Sequence, residues 1–177
     1  MNGIILYQSK YGATKKYAEW LSEKTGYPVQ ETKKTKAEDL NGYDVIILGG
    51  GIYASGIAGL SFLKKNFSVC KDKKVVVFCV GASPYEESAL KEIVKRNMKD
   101  ELSEIPCFYC RGAWNMEQMN FVDRNLCKML RKAVEKKNPE DYEIWEKALM
   151  EAGDDNCDWT DEKYLEPILK ELSLQLR

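Results

Sequence analysis

The chain has 177 residues, the length of one α/β domain, and is 44% hydrophobic and 31% charged, which is a globular composition. Its 27 basic and 28 acidic residues leave a net charge of −1, which does not suggest a polyanion-binding protein as a whole and points away from nucleic acid. There is no histidine, so His-based triads, His metal sites and imidazole acid–base chemistry are excluded together. No apolar run approaches the roughly 20 residues that span a bilayer. The N-terminus runs straight into Ile4-Ile5-Leu6 without a signal-peptide pattern, so a cytoplasmic location is expected.

In chain order, residues 4–7 predict a buried strand. Residues 14–25 predict a helix on the spacing of Tyr17, Ala18, Trp20 and Leu21, ended by Gly26. Val29 marks a short second strand, and residues 44–48 a strong third one that enters the glycine cluster Gly49-Gly50-Gly51. Residues 57–67 resume a helical pattern. Residues 74–80 are the fourth and most apolar strand, residues 86–97 a helix, and residues 105–110 the fifth strand. Continuous apolar strands alternating with helices predict a parallel sheet covered on both faces, a three-layer doubly wound α/β fold.

After the fifth strand the alternation breaks. Residues 118–137 predict one helix, with Val122, Leu126, Met129, Leu130 and Val134 on one side and lysines and arginines over much of the rest. Its basic face reads as a solvated surface or as a docking face for an anionic membrane or an acidic partner, the first being preferred. Residues 140–152 predict a second helix, Gly153 to Asn156 a loop. The last helix is expected to start at an N-cap Thr160, with Trp159 and Tyr164 as a hydrophobic staple. The whole reads as one domain, residues 1–177, carrying an insertion at about 115–157.

The six cysteines read as free thiols. Cys107 and Cys110 have C-x-x-C spacing inside a strand, where positions three apart face opposite sides, so they read as structural. No metal site and no catalytic side chain stand out.

The first strand leads into Ser9-Lys10-Tyr11-Gly12-Ala13-Thr14 and then a helix. The free N–H groups and positive dipole end of a helix suit a phosphate, Ser9 and Thr14 add hydroxyls, and Gly12 permits an unusual backbone angle. Neither the Walker nor the dinucleotide glycine pattern is present. Alone, the loop reads equally well as an ordinary βα turn with a hydroxyl cap. Its place after the first strand, where doubly wound sheets bind phosphate, favours the ligand reading.

This loop, with Ala18 four positions beyond Thr14, resembles the FMN-phosphate signature of the flavodoxins. The resemblance continues in Gly49 to Gly56 after the third strand and in Gly81-Ala82-Ser83-Pro84-Tyr85 after the fourth. It implies a sheet order 2-1-3-4-5 and FMN, rather than FAD, held non-covalently. The site residues it implies are Ser9, Lys10, Tyr11, Gly12, Ala13 and Thr14 at the phosphate, and Gly50, Gly51, Ile52, Tyr53, Gly81, Ala82 and Ser83 at the ring. Tyr53 reads as a stacking ring or an exposed loop aromatic; Tyr85 and Trp114 are further ring candidates that could equally cap the core. Flavodoxins change a peptide orientation with redox state in the second loop, and the glycines there would permit it.

The inserted segment also resembles, loosely, the flavodoxin-domain proteins of the menaquinone-dependent protoporphyrinogen dehydrogenase type, through the run Val122 to Met129. That likeness implies an FMN-dependent oxidoreductase linked to a quinone or a porphyrinogen. The alternative is an electron shuttle whose partners are other redox proteins.

Overall fold

The computed structural model describes residues 2–153 and 155–173; Asp154, in the predicted loop before the last helix, lies outside them. The apolar runs form the parallel strands β1 (Gly3–Gln8), β2 (Val29–Glu31), β3 (Val45–Tyr53), β5 (Lys74–Gly81) and β6 (Cys107–Arg111), ordered β2-β1-β3-β5-β6. This is the predicted order; the count differs because β4 (Gly56–Ile57) is a two-residue strand that pairs back onto β3. Register follows the runs, with Ile5 beside Ile47 and Ile47 beside Val76.

Alternate side chains build two cores. Ile4, Leu6, Ile46, Leu48, Val75 and Val77 face α2 (Leu60–Lys65), α3 (Phe67–Cys70) and α4 (Glu87–Asn97). Ile5, Ile47, Val76, Phe78 and Val80 face α1 (Ala13–Thr25) and α7 (Glu166–Ser173), through Tyr17, Leu21 and Ile168. Each fully buried aliphatic side chain stabilises by about 1.5–3 kcal/mol relative to exposure. Cys107 belongs to the first core and Cys110 to the second, as strand alternation requires, and both are free thiols.

Several boundaries differ from expectation. Strand β3 does not stop at Leu48 but runs through the glycines to Tyr53. Here glycine serves packing: a Cβ on Gly49 would lie 2.2 Å from the Phe78 ring, and one on Gly50 would lie 2.0 Å from the Ala58 carbonyl oxygen. The helix expected over 57–67 is split into α2 and α3 at Asn66. Asp161, not Thr160, caps the final segment: its carboxylate accepts from the Lys163 N–H, and a short 3₁₀ turn precedes α7. Trp159 is placed against the Arg111 guanidinium, 4.2 Å from the ring centroid.

The inserted segment leaves and returns through a small antiparallel ribbon, β7 (Ala113–Trp114) with β8 (Cys157–Asp158). Between them lie α5 (Phe121–Val134), capped by Asn120, and α6 (Ile144–Ala152). The Lys137 ammonium donates to the buried Glu146 carboxylate at 2.5 Å and holds α6 to the end of α5.

Candidate functional site

At the carboxyl end of β1 the chain turns through Gly12, whose φ of 96° is left-handed and suits only glycine comfortably. Its N–H donates to the Ser9 hydroxyl at 3.0 Å, and Thr14 is buried in the first turn of α1. The second loop is a hairpin between β3 and β4. Ala54 and Ser55 form its tip with φ of 47° and 64°, two non-glycine residues in the left-handed region. Gly49, Gly50 and Gly51 lie in the ladder with β5, and the tip is tied down by the Asn97 amide, which donates to the Ser55 carbonyl at 2.8 Å.

The Tyr53 ring folds back toward Gly51, and its hydroxyl accepts the Lys10 N–H at 3.0 Å, so it joins the second loop to the first. Burial pushes the Tyr53 phenol up, opposed by that N–H. The third loop is held from below. The Tyr109 hydroxyl donates to the Ser83 carbonyl at 2.5 Å, and Arg111 Nε donates to the Ala82 carbonyl at 3.0 Å. The same guanidinium pairs with Glu151 on α6 at 2.8 Å.

The three loops converge on one cavity of about 400 Å³. Ser9, Lys10, Tyr11, Ala13, Thr14, Gly51, Ile52, Tyr53, Gly81, Ala82 and Ser83 all line it. Gly12 and Gly50, also expected at the site, are not on its wall: Gly12 shapes the turn, and Gly50 is packed under the Ala58 carbonyl. Tyr85 is likewise off the wall, exposed and tilted against Tyr109, whereas Trp114 lines it.

The remaining wall comes from the insertion. Asp123, Leu126, Cys127 and Leu130 occupy one face of α5, and Trp145, Ala148 and Leu149 one face of α6. The Lys10 ammonium and the Tyr11 hydroxyl both donate to the Asp123 carboxylate, which also has its own N–H capped by the Asn120 side chain. Lys10 first, then Tyr11, hold the Asp123 carboxyl below its usual range, and Asp123 raises Lys10. Lys10 and Tyr11 thus point at the insertion and clamp it to the first loop. The sequence marks the insertion but not these contacts; the i, i+3, i+4, i+7 spacing of Asp123, Leu126, Cys127 and Leu130 signals only that the four share one face of α5.

A second cleft of about 820 Å³ adjoins the first. The two share Ile52, Ala54, Gly81, Ala82, Ser83, Leu130 and Trp145. Its far wall is α4 and the start of α6, with Tyr142 and Ile144.

Fold and site together define a doubly wound α/β protein with a glycine-turned loop leading from β1 into α1 and a cavity at its topological switch point, between the ends of β1 and β3. The chain belongs to the flavodoxin domain family, whose model matches residues 4–142. No curated protein matches the sequence. Among solved structures, a flavodoxin from the domain Archaea is 19% identical over 73% of this chain and 93% of its own, with a TM-score of 0.42. A flavoprotein in complex with FMN from Lactobacillus acidophilus is 17% identical over 62% and 91%, with a TM-score of 0.44. The two-electron reduced flavodoxin of Megasphaera elsdenii is 20% identical over 60% and 82%, with a TM-score of 0.44. Among the described residues, no helix is long and apolar enough to cross a membrane.

Proposed function

We propose that the chain is an FMN-holding redox protein that acts as an enzyme on a small molecule, with the insertion forming the far wall of its flavin site. The residues fit the cofactor. The first loop offers the free N–H groups of a helix start beside Ser9 and Thr14. The second and third loops line the same cavity, through Tyr53 and Ser83 among others. Trp114 adds an aromatic ring to the same wall. Bound FMN supplies one- and two-electron chemistry. The chain's own residues hold and enclose it: Lys10, Tyr11 and Asp123 close the insertion over the first loop, and Arg111 fixes the Ala82 carbonyl.

The observation that carries the enzyme reading is the second cleft, which shares both ring loops with the flavin cavity. A reacting molecule seated there lies against the loops that flank the ring. The finer assignment, a quinone- or porphyrinogen-linked dehydrogenase, is supported by the resemblance of the inserted segment. A shuttle between redox proteins is the second reading, favoured by the exposed apolar and basic outer face of α5, a surface suited to an acidic protein partner.

Flavin-free protein titrated with FMN is expected to quench its fluorescence at one equivalent and turn yellow; failure to take up FMN would refute the reading. The photoreduced protein is then mixed with menaquinone analogues, and the oxidised protein with protoporphyrinogen. Turnover with a small molecule supports the enzyme; exchange only with redox proteins supports the shuttle.

A further inference from the structure

Helix α5 turns one continuous arc outward. Phe121, Asn125, Lys128 and Lys132 form one row along it, and Val122, Leu126, Met129 and Ala133 form the row beside it. All eight are exposed, and the rest of the helix is at least partly buried. A solvated helix face is polar, but Phe121, Val122 and Met129 are the most exposed large hydrophobic side chains among the described residues. The arc is also basic. The stretch from Asn120 to Lys137 holds six basic and two acidic residues, in a chain whose net charge is −1. Three of those cations are engaged: Arg124 donates to the carbonyls of Met116, Glu117 and Met119, Arg131 pairs with Glu135, and Lys137 pairs with Glu146. Lys128, Lys132 and Lys136 have no ion-pair partner among the described residues. The one acid of α5, Asp123, is held on the inner side by Lys10 and Tyr11.

Charge and shape select the occupant. A second copy docked face to face would bring the two lysine rows together with no acid between them. A folded partner is anchored by side chains seated in pockets, yet Phe121, Val122 and Met129 border neither cavity and project from a convex helix. A fluid anionic surface needs no matching shape: apolar tips enter the headgroup boundary, and lysines reach phosphates on their flexible stems. We propose that α5 is a peripheral membrane-docking helix. It lies along an anionic lipid surface with Phe121, Val122 and Met129 in the headgroup boundary and Lys128, Lys132 and Lys136 on lipid phosphates. No helix among the described residues is long and apolar enough to cross a bilayer, so the contact stays in the surface. Leu130, on the inner side of the same helix, lines both the flavin cavity and the adjoining cleft. Docking therefore sets both beside the membrane, where a lipid-soluble reactant is met.

The test is co-sedimentation of the full chain with vesicles of phosphatidylcholine and phosphatidylglycerol in equal parts, against pure phosphatidylcholine. Binding to the mixed vesicles at low salt is expected, falling as added salt screens the lysines. Lys128→Gln with Lys132→Gln is expected to weaken it by roughly 10- to 30-fold, two cations near an anionic surface. Val122→Ser with Met129→Ser is expected to weaken it by about 10-fold or more, through lost apolar burial. Circular dichroism checks that each pair of changes, all at exposed positions, leaves the fold intact. No sedimentation with mixed vesicles at low salt would overturn the proposal. So would binding that both variants leave unchanged, since the contact then lies elsewhere. Self-association on size exclusion that Val122→Ser with Met129→Ser abolishes, or a salt-sensitive complex with an acidic iron–sulfur protein in place of vesicle binding, assigns the face to a protein and also overturns it. The readout needs no flavin, so its failure leaves the FMN reading untouched.

Discussion

At the scale of single residues, the glycines of this site do three different jobs that one letter in a sequence does not separate. Gly12 is needed for its left-handed φ, and a Cβ there would meet nothing within 4 Å. Gly50 has ordinary strand geometry and is needed for space, because a Cβ would press on the backbone of Ala58, which cannot swing aside. Gly51 leaves room for the Tyr53 ring, whose hydroxyl would sit 2.7 Å from an added Cβ. Gly50→Ala is therefore expected to destabilise by about 1–3 kcal/mol, the usual cost of overpacking. Thermal unfolding measures it. A Tm equal to wild type would mean that β4 and the Ala58 turn yield freely, against their pairing with β3. Lys10 and Tyr11 show the limit of motif reading in the same loop. Their positions imply phosphate contact, yet both side chains end on Asp123, 113 and 112 residues further on. No local pattern encodes that pairing.

At the scale of elements, the strands and the first helix are legible because each carries its own signal: an unbroken apolar run for β1, β3 and β5, and a helical stripe ended by Gly26 for α1. The hairpin tip is not legible, since Ala54 and Ser55 carry no turn signature and are held in place by their surroundings. Helix α5 is legible as a helix and misleading as a core element. Its apolar residues divide between two sides: Leu126 and Leu130 line the cavity and Val134 is buried, but Phe121, Val122 and Met129 are 77%, 71% and 61% exposed. The double change Val122→Ser with Met129→Ser is accordingly expected to alter stability by no more than about 0.5 kcal/mol per site, the range for surface positions. Chemical denaturation midpoints decide this; a loss of several kcal/mol would show that the outer face of α5 packs against protein in solution.

At the scale of the whole molecule, the response to pH follows from which groups the chain lacks and which it holds in ion pairs. With no histidine, no side chain has an ordinary pKa near neutrality. Burial pushes the Cys70, Cys110 and Cys127 thiols up, away from neutral pH. The carboxylates that pin the insertion behave oppositely. The Lys137 ammonium, then the Glu143 N–H, hold Glu146 below its ordinary value of 4.5, and Lys10, then Tyr11, hold Asp123 below 3.8. A carboxyl whose folded pKa lies below its unfolded one stabilises the fold fully above the unfolded value, and loses that contribution as pH falls through the folded one. Stability is thus expected to be nearly flat from about pH 5 to 8 and to decline below the ordinary carboxylate range, with the insertion losing its anchors. Glu146→Gln isolates one anchor: the amide still accepts the Glu143 N–H but no longer draws the Lys137 charge. Its Tm is expected to lie below wild type at pH 6, and the gap is expected to narrow as pH falls below the ordinary carboxylate range and the wild-type carboxyl takes up its proton. Calorimetry across that range checks the sign, and a gap that persists undiminished at pH 3 would show that Glu146 acts through packing and not through its charge.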